Sequence, residues 1–183
     1  EQCDWLLLMS DGRLVGEGDE AAIVGGTTAV AVRTDDWARA FDCPVLLHGA
    51  DRRWVMRPDP AIRFWDGERH EVLPGVTLHR LGGHYAGGTI LHRAEGKGAI
   101  LTGDIASVAP DRRHVSFMWS FPNWVPLPAA VVARMGAVLE ALEFDAIYGA
   151  WWDRVIPTGG KDAVRRSVAR YVAAVTGPGP LGD

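Results

Sequence analysis

Two residues of this 183-residue chain carry side chains suited to chemistry and share one setting. His84 lies in "LGGHYAGGTILH", between the pairs Gly82-Gly83 and Gly87-Gly88, where one apolar run stops and another starts. Asp104 closes "LTGD", a second apolar run that ends on a glycine and an acid. Glycine admits positive φ and close backbone approach, so such loops let a functional group project from the end of a strand. Imidazole nitrogen and carboxylate oxygen are ordinary ligands for zinc and related ions. A catalytic metal, however, normally takes three ligands from the protein. On residue types alone the pair reads equally as two metal ligands or as a His–Asp hydrogen bond stapling two loops.

The remaining histidines have plainer settings. His70, His79 and His92 fall inside expected strands, where an alternating pattern holds a histidine on the wet face without any purpose. His114 lies in the Arg-rich part of a long loop and is expected to be solvated. His48 ends the strand "PVLLH", and strand C-termini are where sites collect in α/β sheets. Its "HGADRR" context is a weak signal.

The elements that must position these residues follow from pattern. "WLLLM" reads as a buried strand closed by the turn "SDG", and "GEGDEAAIVGG" as loop. "TTAVAVR" is a short β-branched strand. Thr34 is placed to cap a helix over "DDWARAF", with Asp35 and Asp36 in its first turn. "CPVLLH" is a second strand. "IRFW", "RHEVL" and "VTLHRL" are expected to form a meander, with Asp66-Gly67 as a hairpin turn. "GTILHRA" and "GAILTG" form another hairpin around "EGKG". The proline-studded, aromatic stretch "APDRRHVSFMWSFPNWVPLP" reads as a long functional loop. Beyond Ala129, Val131, Val132, Met135, Val138, Leu139 and Leu142 follow helical spacing. "FDAIYGA" is a short strand. Gly160 opens a last helix with Val164, Val168, Val172 and Val175 on one face and Arg165, Arg166 and Arg170 off it. The expected class is mixed α/β with layered sheets.

Bulk properties narrow the function. A hydrophobic fraction of 48% and a mean hydropathy near zero indicate a globular protein. Its length suits one domain that buries about two thirds of the unfolded chain's surface. A net charge of -4 and a pI of about 5.9 offer no field for nucleic acid or an anionic membrane. No membrane span is expected. The two cysteines, Cys3 and Cys43, read as free thiols in a reducing cytoplasm. Eight tryptophans are unusual, and most are expected in packing roles, with an aromatic-walled pocket as the alternative. There is no Gly-x-Ser-x-Gly elbow, P-loop or dinucleotide fingerprint.

Taken in order, these signals resemble the metallo-β-lactamase superfamily. "GGHYAGGT" looks like its third metal-binding motif and "LTGD" like the motif whose Asp bridges two metal ions. "AFDCPVLLHGADRRWV" resembles the segment after the metal-bearing helix, and "FDAIYGAWWDRV" the last strand and final ligand loop. The likeness runs from about Ala29 to Ala174. It implies an αββα sandwich incomplete at the N-terminal sheet, forming one domain over residues 1–176, with 1–28 poorly patterned and 177–183 a disordered tail. It implies His84 as a metal ligand and Asp104 as a bridging or second ligand and catalytic residue. Zinc or another divalent metal would be the cofactor, activating water and polarising the scissile bond.

Two departures qualify that pattern. The family's His-x-His-x-Asp-His motif should open the helix at "AVAVRTDDWARAF", which has no histidine; Asp35 or Asp36 can replace only its acid. Its final histidine meets Trp151 or Trp152 in "GAWWDR". The expectation is an N-terminal truncation or a disrupted reading frame, with metal affinity falling steeply. Three functions follow. One is a metal-dependent hydrolase of a small ester, thioester, lactam or phosphoester, with Trp119, Phe121, Trp124, Trp151 and Trp152 lining a small-molecule pocket. A second is a non-catalytic pseudoenzyme that binds a ligand. The third is a fragment with an exposed sheet edge. Substrate, metal identity and oligomeric state stay open.

Overall fold

The computed structural model describes residues 9–10, 13–14 and 34–177, with side chains from Ala38 onward. The expected strand "TTAVAVR", the loop before it and the 178–183 end of the tail lie outside the described residues, as do the side chains of Thr34, Asp35 and Asp36. β1 (Met9–Ser10) pairs antiparallel with β2 (Arg13–Leu14). α1 spans Thr34–Phe41, as its sequence predicts.

β3 (Val45–His48) leads into a 3₁₀ turn, Gly49–Trp54. β4 (Ile62–Trp65) pairs with β3, and the pairing is parallel. This corrects the expected meander. Asp66-Gly67 is not a hairpin turn but the point where the chain leaves the β3–β4 sheet for a second one. Gly67 takes φ 92 there, a value that suits glycine. Its carbonyl accepts a 2.9 Å hydrogen bond from His48 Nε2.

The main sheet contains β5 (Arg69–Leu73), β6 (Val76–Arg80), β7 (Thr89–Arg93), β8 (Ala99–Gly103), β13 (Ala146–Gly149) and β14 (Val155–Ile156). Its order is β14-β13-β8-β7-β6-β5. Only β13 and β8 run parallel; the other neighbours are antiparallel, including the expected β7–β8 hairpin. The expected long loop is also corrected. It holds β10 (Val115–Ser116), which pairs antiparallel with β9 (Ser107–Val108) just before the stretch, and the antiparallel ladder of β11 (Met118–Ser120) with β12 (Val125–Pro126).

Two helices cover one face of the main sheet. α2 (Ala129–Glu140) buries Val132, Met135 and Leu139, the stripe its periodicity predicts. α3 (Gly160–Thr176) buries Gly160, Ala163, Val164 and Ser167, while Val175 is exposed. The expected valine face therefore serves only the first half of α3, because the core ends before the helix does. Ile90, Ile100, Ile147 and Phe117 complete the core with these helices. Gly136 lets the helices approach closely, since a Cβ there would meet the Val168 methyls at 2.9 and 3.0 Å. Arg165 bridges them with paired hydrogen bonds to Glu140, at 2.8 and 2.5 Å.

Side-chain bonds fasten α3 to the small ladders. Ser167 Oγ accepts from Val115 N at 2.9 Å and donates to Ala163 O at 2.6 Å. Tyr171 Oη accepts from Leu127 N and donates to Leu127 O.

Candidate functional site

Sheet register gathers the candidate residues at one end of the main sheet. Leu91 of β7 faces Leu101 of β8 in an antiparallel pair, so the start of β7 lies beside the end of β8. Gly149 of β13 pairs with Gly103 of β8 in the parallel direction. Three segments therefore leave the sheet at this one end, its rim: the 81–88 loop carrying His84, the turn after Gly103 carrying Asp104, and the 150–154 turn carrying Trp151 and Trp152. The first two are in contact, because a Cβ on Gly88 would strike the Ile105 side chain.

The His84 loop is closed on itself. Leu81 N and Gly82 N both donate to Gly88 O, and Gly88 N donates to Tyr85 O. Gly82 and Gly83 take φ 67 and 89, so the glycine pair before His84 performs the role its sequence implies. Two neighbours anchor the loop. Arg134 of α2 donates to Leu81 O at 2.6 Å, and Asp51 of the 3₁₀ turn accepts from Gly87 N at 2.8 Å.

Within the loop, His84 Nδ1 donates to the carbonyl of Trp119 on β11 at 2.9 Å. A carbonyl only accepts, so Nδ1 carries the proton and Nε2 of the neutral ring keeps its lone pair. The ring meets Tyr85 and Phe121 edge to face, with centroids 4.9 and 5.6 Å away.

Asp104 is half-buried in a turn set by Thr102. Thr102 Oγ1 donates to Ala106 O at 2.7 Å, and Ile105 N donates to Thr102 O. Asp104 itself is engaged in interactions. Trp151 and Trp152 stand about half exposed on a turn where Arg154 N donates to Trp151 O. Trp119 and Trp124 are exposed on the β11–β12 hairpin.

These donors do not by themselves fit a catalytic metal. Among the described residues, no three His, Cys, Asp or Glu side chains are grouped so as to hold an ion. His48, the other strand-end histidine, is committed to structure. It is buried, donates from Nε2 to Gly67 O, accepts at Nδ1 from Ala50 N and packs against Trp65.

The other histidines are less idle than their sequence settings imply. His70 stacks on Trp65, and His92 Nε2 donates to Glu143 O at 2.8 Å. His79 lies edge-on to His92, and burial lowers its pKa first, followed by the His92 and Arg69 charges. His114 pairs with Asp111 at 2.6 Å rather than standing in solvent. Asp111 is lowered to about 2, first by the Arg113 backbone N–H and then by the His114 side chain.

Asp51, Arg134, Trp54 and Tyr85 were not singled out by sequence pattern. Tyr85 adjoins His84 and Asp51 falls in "HGAD", so those two were within reach; Arg134 carried no local signal.

The fold is mixed α/β, with two helices packed on a six-stranded mixed sheet. No family model matches the chain. It is 42% identical over 167 residues to the uncharacterized protein YmaE of Bacillus subtilis (strain 168), covering 86% of this chain. The chain spans 61% of the length of that relative. Among solved structures it is similar to TTHA1623 in a di-iron-bound form, at 20% identity and TM-score 0.49, covering 87% of this chain and 91% of that one. It is also similar to a HARLDQ motif mutant of a Cronobacter sakazakii metallo-β-lactamase, at 19% identity and TM-score 0.47, covering 93% of this chain and 86% of that one. What those proteins bind is a property of theirs. Among the described residues no helix is long and apolar enough to cross a membrane.

Proposed function

We propose that this chain is a metallo-β-lactamase-type protein whose rim receives a small ester, thioester, lactam or phosphoester. Metal-dependent hydrolysis would require ligands beyond the described residues. In this reading His84 and Asp104 are the donors the rim contributes toward zinc or another divalent metal, with Asp104 the acid nearest the chemistry. Trp119, Trp124, Trp151 and Trp152 form the aromatic approach to it. One observation carries the reading: strand register brings the His84 loop, the Asp104 turn and the Trp151-Trp152 turn to the same end of one sheet. The hydrogen bond from Nδ1 to Trp119 supports it, since it aims a lone-pair nitrogen rather than an N–H away from the carbonyl. A reducing cytoplasmic setting is supported by the small number of cysteines.

A second reading, ligand binding without chemistry, is favoured by the lack of a three-donor group among the described residues. Elemental analysis of the purified protein separates the two. Less than one metal per chain, with no chelator-sensitive turnover of p-nitrophenyl acetate, supports binding alone. Stoichiometric metal that is lost in His84→Ala, together with chelator-sensitive turnover, supports the hydrolase. Stoichiometric metal retained in both His84→Ala and Asp104→Asn would overturn the assignment of these donors.

A further inference from the structure

Three segments far apart in the chain converge on an exposed row of rings. The Arg53 guanidinium lies 4.8 Å from the Trp54 ring centroid. Trp54 meets Tyr85 edge to face, with centroids 6.2 Å apart and planes at 72°. Tyr85 continues to His84, and His84 to Phe121. Trp54 is 54% exposed and Tyr85 is 42% exposed, so neither ring is spent on the core. Both belong to well-fixed backbone: the 3₁₀ turn and the 81–88 loop are tied together by the bond from Gly87 N to Asp51. Rigid, half-open aromatic surface of this kind offers contact area at small cost in conformational entropy.

Charge sets the class of molecule that fits. Arg52 already lies over Phe64, at 3.7 Å from its centroid, whereas exposed Arg53 stands at the open end of the row. No carboxylate pairs with Arg53 among the ion pairs of the described residues. A flat apolar group on Trp54 and Tyr85 would leave an anionic substituent beside that guanidinium. The other end of the row reaches His84.

We propose that Arg53, Trp54 and Tyr85 form a binding subsite for an aryl carboxylate, extending from the His84 rim. The subsite deepens the proposed small-molecule reading and rests on it, because it assigns the aromatic acid portion of the molecule that the rim receives. A ring seated in the angle between Trp54 and Tyr85 meets one face-on and the other edge-on, and Arg53 selects the anion.

Titration calorimetry with 2-naphthoate tests this, with neutral 2-naphthalenemethanol as the control. The expected result is saturable naphthoate binding that weakens about tenfold in Trp54→Ala and in Tyr85→Ala, the size of one aromatic contact. Trp54→Phe, which keeps a ring, should hold most of the affinity and excludes a mere folding defect. Arg53→Gln should erase the preference for naphthoate over the alcohol while leaving the alcohol's affinity unchanged. Absence of naphthoate binding, or binding untouched by Trp54→Ala and Tyr85→Ala, overturns the subsite. Neither outcome alters the metal and turnover measurements on His84→Ala, so the two readings fail separately.

Discussion

His84 Nδ1 and the Trp119 carbonyl are 2.9 Å apart, joining the glycine loop before β7 to the aromatic hairpin of β11 and β12. This is a side chain bound to backbone, so the interaction specifies His84 while placing no demand on the Trp119 side chain. Replacing His84 by Ala should lower stability by about 1 kcal/mol, the net value of such a bond. Urea unfolding of the variant measures it, and Trp119→Phe should show no comparable loss of this bond. An unchanged unfolding midpoint in His84→Ala would mean that the two segments are held together by other contacts.

Gly98 ends the turn between β7 and β8 at φ 76, and a Cβ there would collide with the Glu143 carbonyl. Its own carbonyl accepts from Asp145 N and Ala146 N, so this turn also fixes the start of β13. Strain and collision act together in Gly98→Ala, and a loss of about 2–4 kcal/mol is expected. Thermal melts should show a large drop in Tm. A drop no greater than that of a surface substitution such as Lys97→Ala would contradict the packing described.

Ser167 supplies the acceptor for Val115 N from within a buried helix face. In Ser167→Ala that N–H loses its partner and stays in the core. The expected cost is about 1–3 kcal/mol. Hydrogen exchange at Val115 gives a local check: its amide should lose protection more than amides at the middle of β8.

His79 links stability to pH. Burial, then the positive neighbours His92 and Arg69, hold its pKa below the ordinary histidine value. Arg69 is its direct partner in the β5–β6 register. The unfolded ring titrates near 6.5, so just below that pH the unfolded state binds more protons. The His79 contribution is therefore whole above about pH 6.5 and is lost as pH falls through the lower folded value. Denaturant titrations between neutral and mildly acidic pH should show this slope, and His79→Gln should flatten it. Parallel curves for the two proteins would assign the slope to another group.

Local pattern revealed some of these relationships and hid others. The β7–β8 hairpin was legible because "EGKG" supplies positive-φ positions between two apolar runs. The α2 stripe was legible because Val132, Met135 and Leu139 recur at helical spacing and all reach the core. β4 was misread for a physical reason. Asp66-Gly67 has the chemistry of a tight turn, yet Gly67 uses its conformational freedom to cross between sheets and present a carbonyl to His48. Parallel pairing of β3 and β4 depends on contacts distant in sequence, which a local window does not contain. The setting of His84 was visible in its flanking glycines. Its partner was not, since a carbonyl acceptor carries no residue identity. The rim itself emerges only from register, because β13 joins β8 after the whole β9–α2 segment intervenes.

The close seat of Gly87 against Asp51 and His48 has a practical corollary. A Cβ at Gly87 would come within 2.6 Å of the Asp51 carboxylate and 2.8 Å of the His48 side chain, so the backbone itself forms the seam. Diversification aimed at the proposed aryl carboxylate subsite is best directed at positions 53 and 54, which flank that seam while leaving it intact. A residue larger than glycine at 87 would instead wedge those positions away from the imidazole and blunt every gain made beside it.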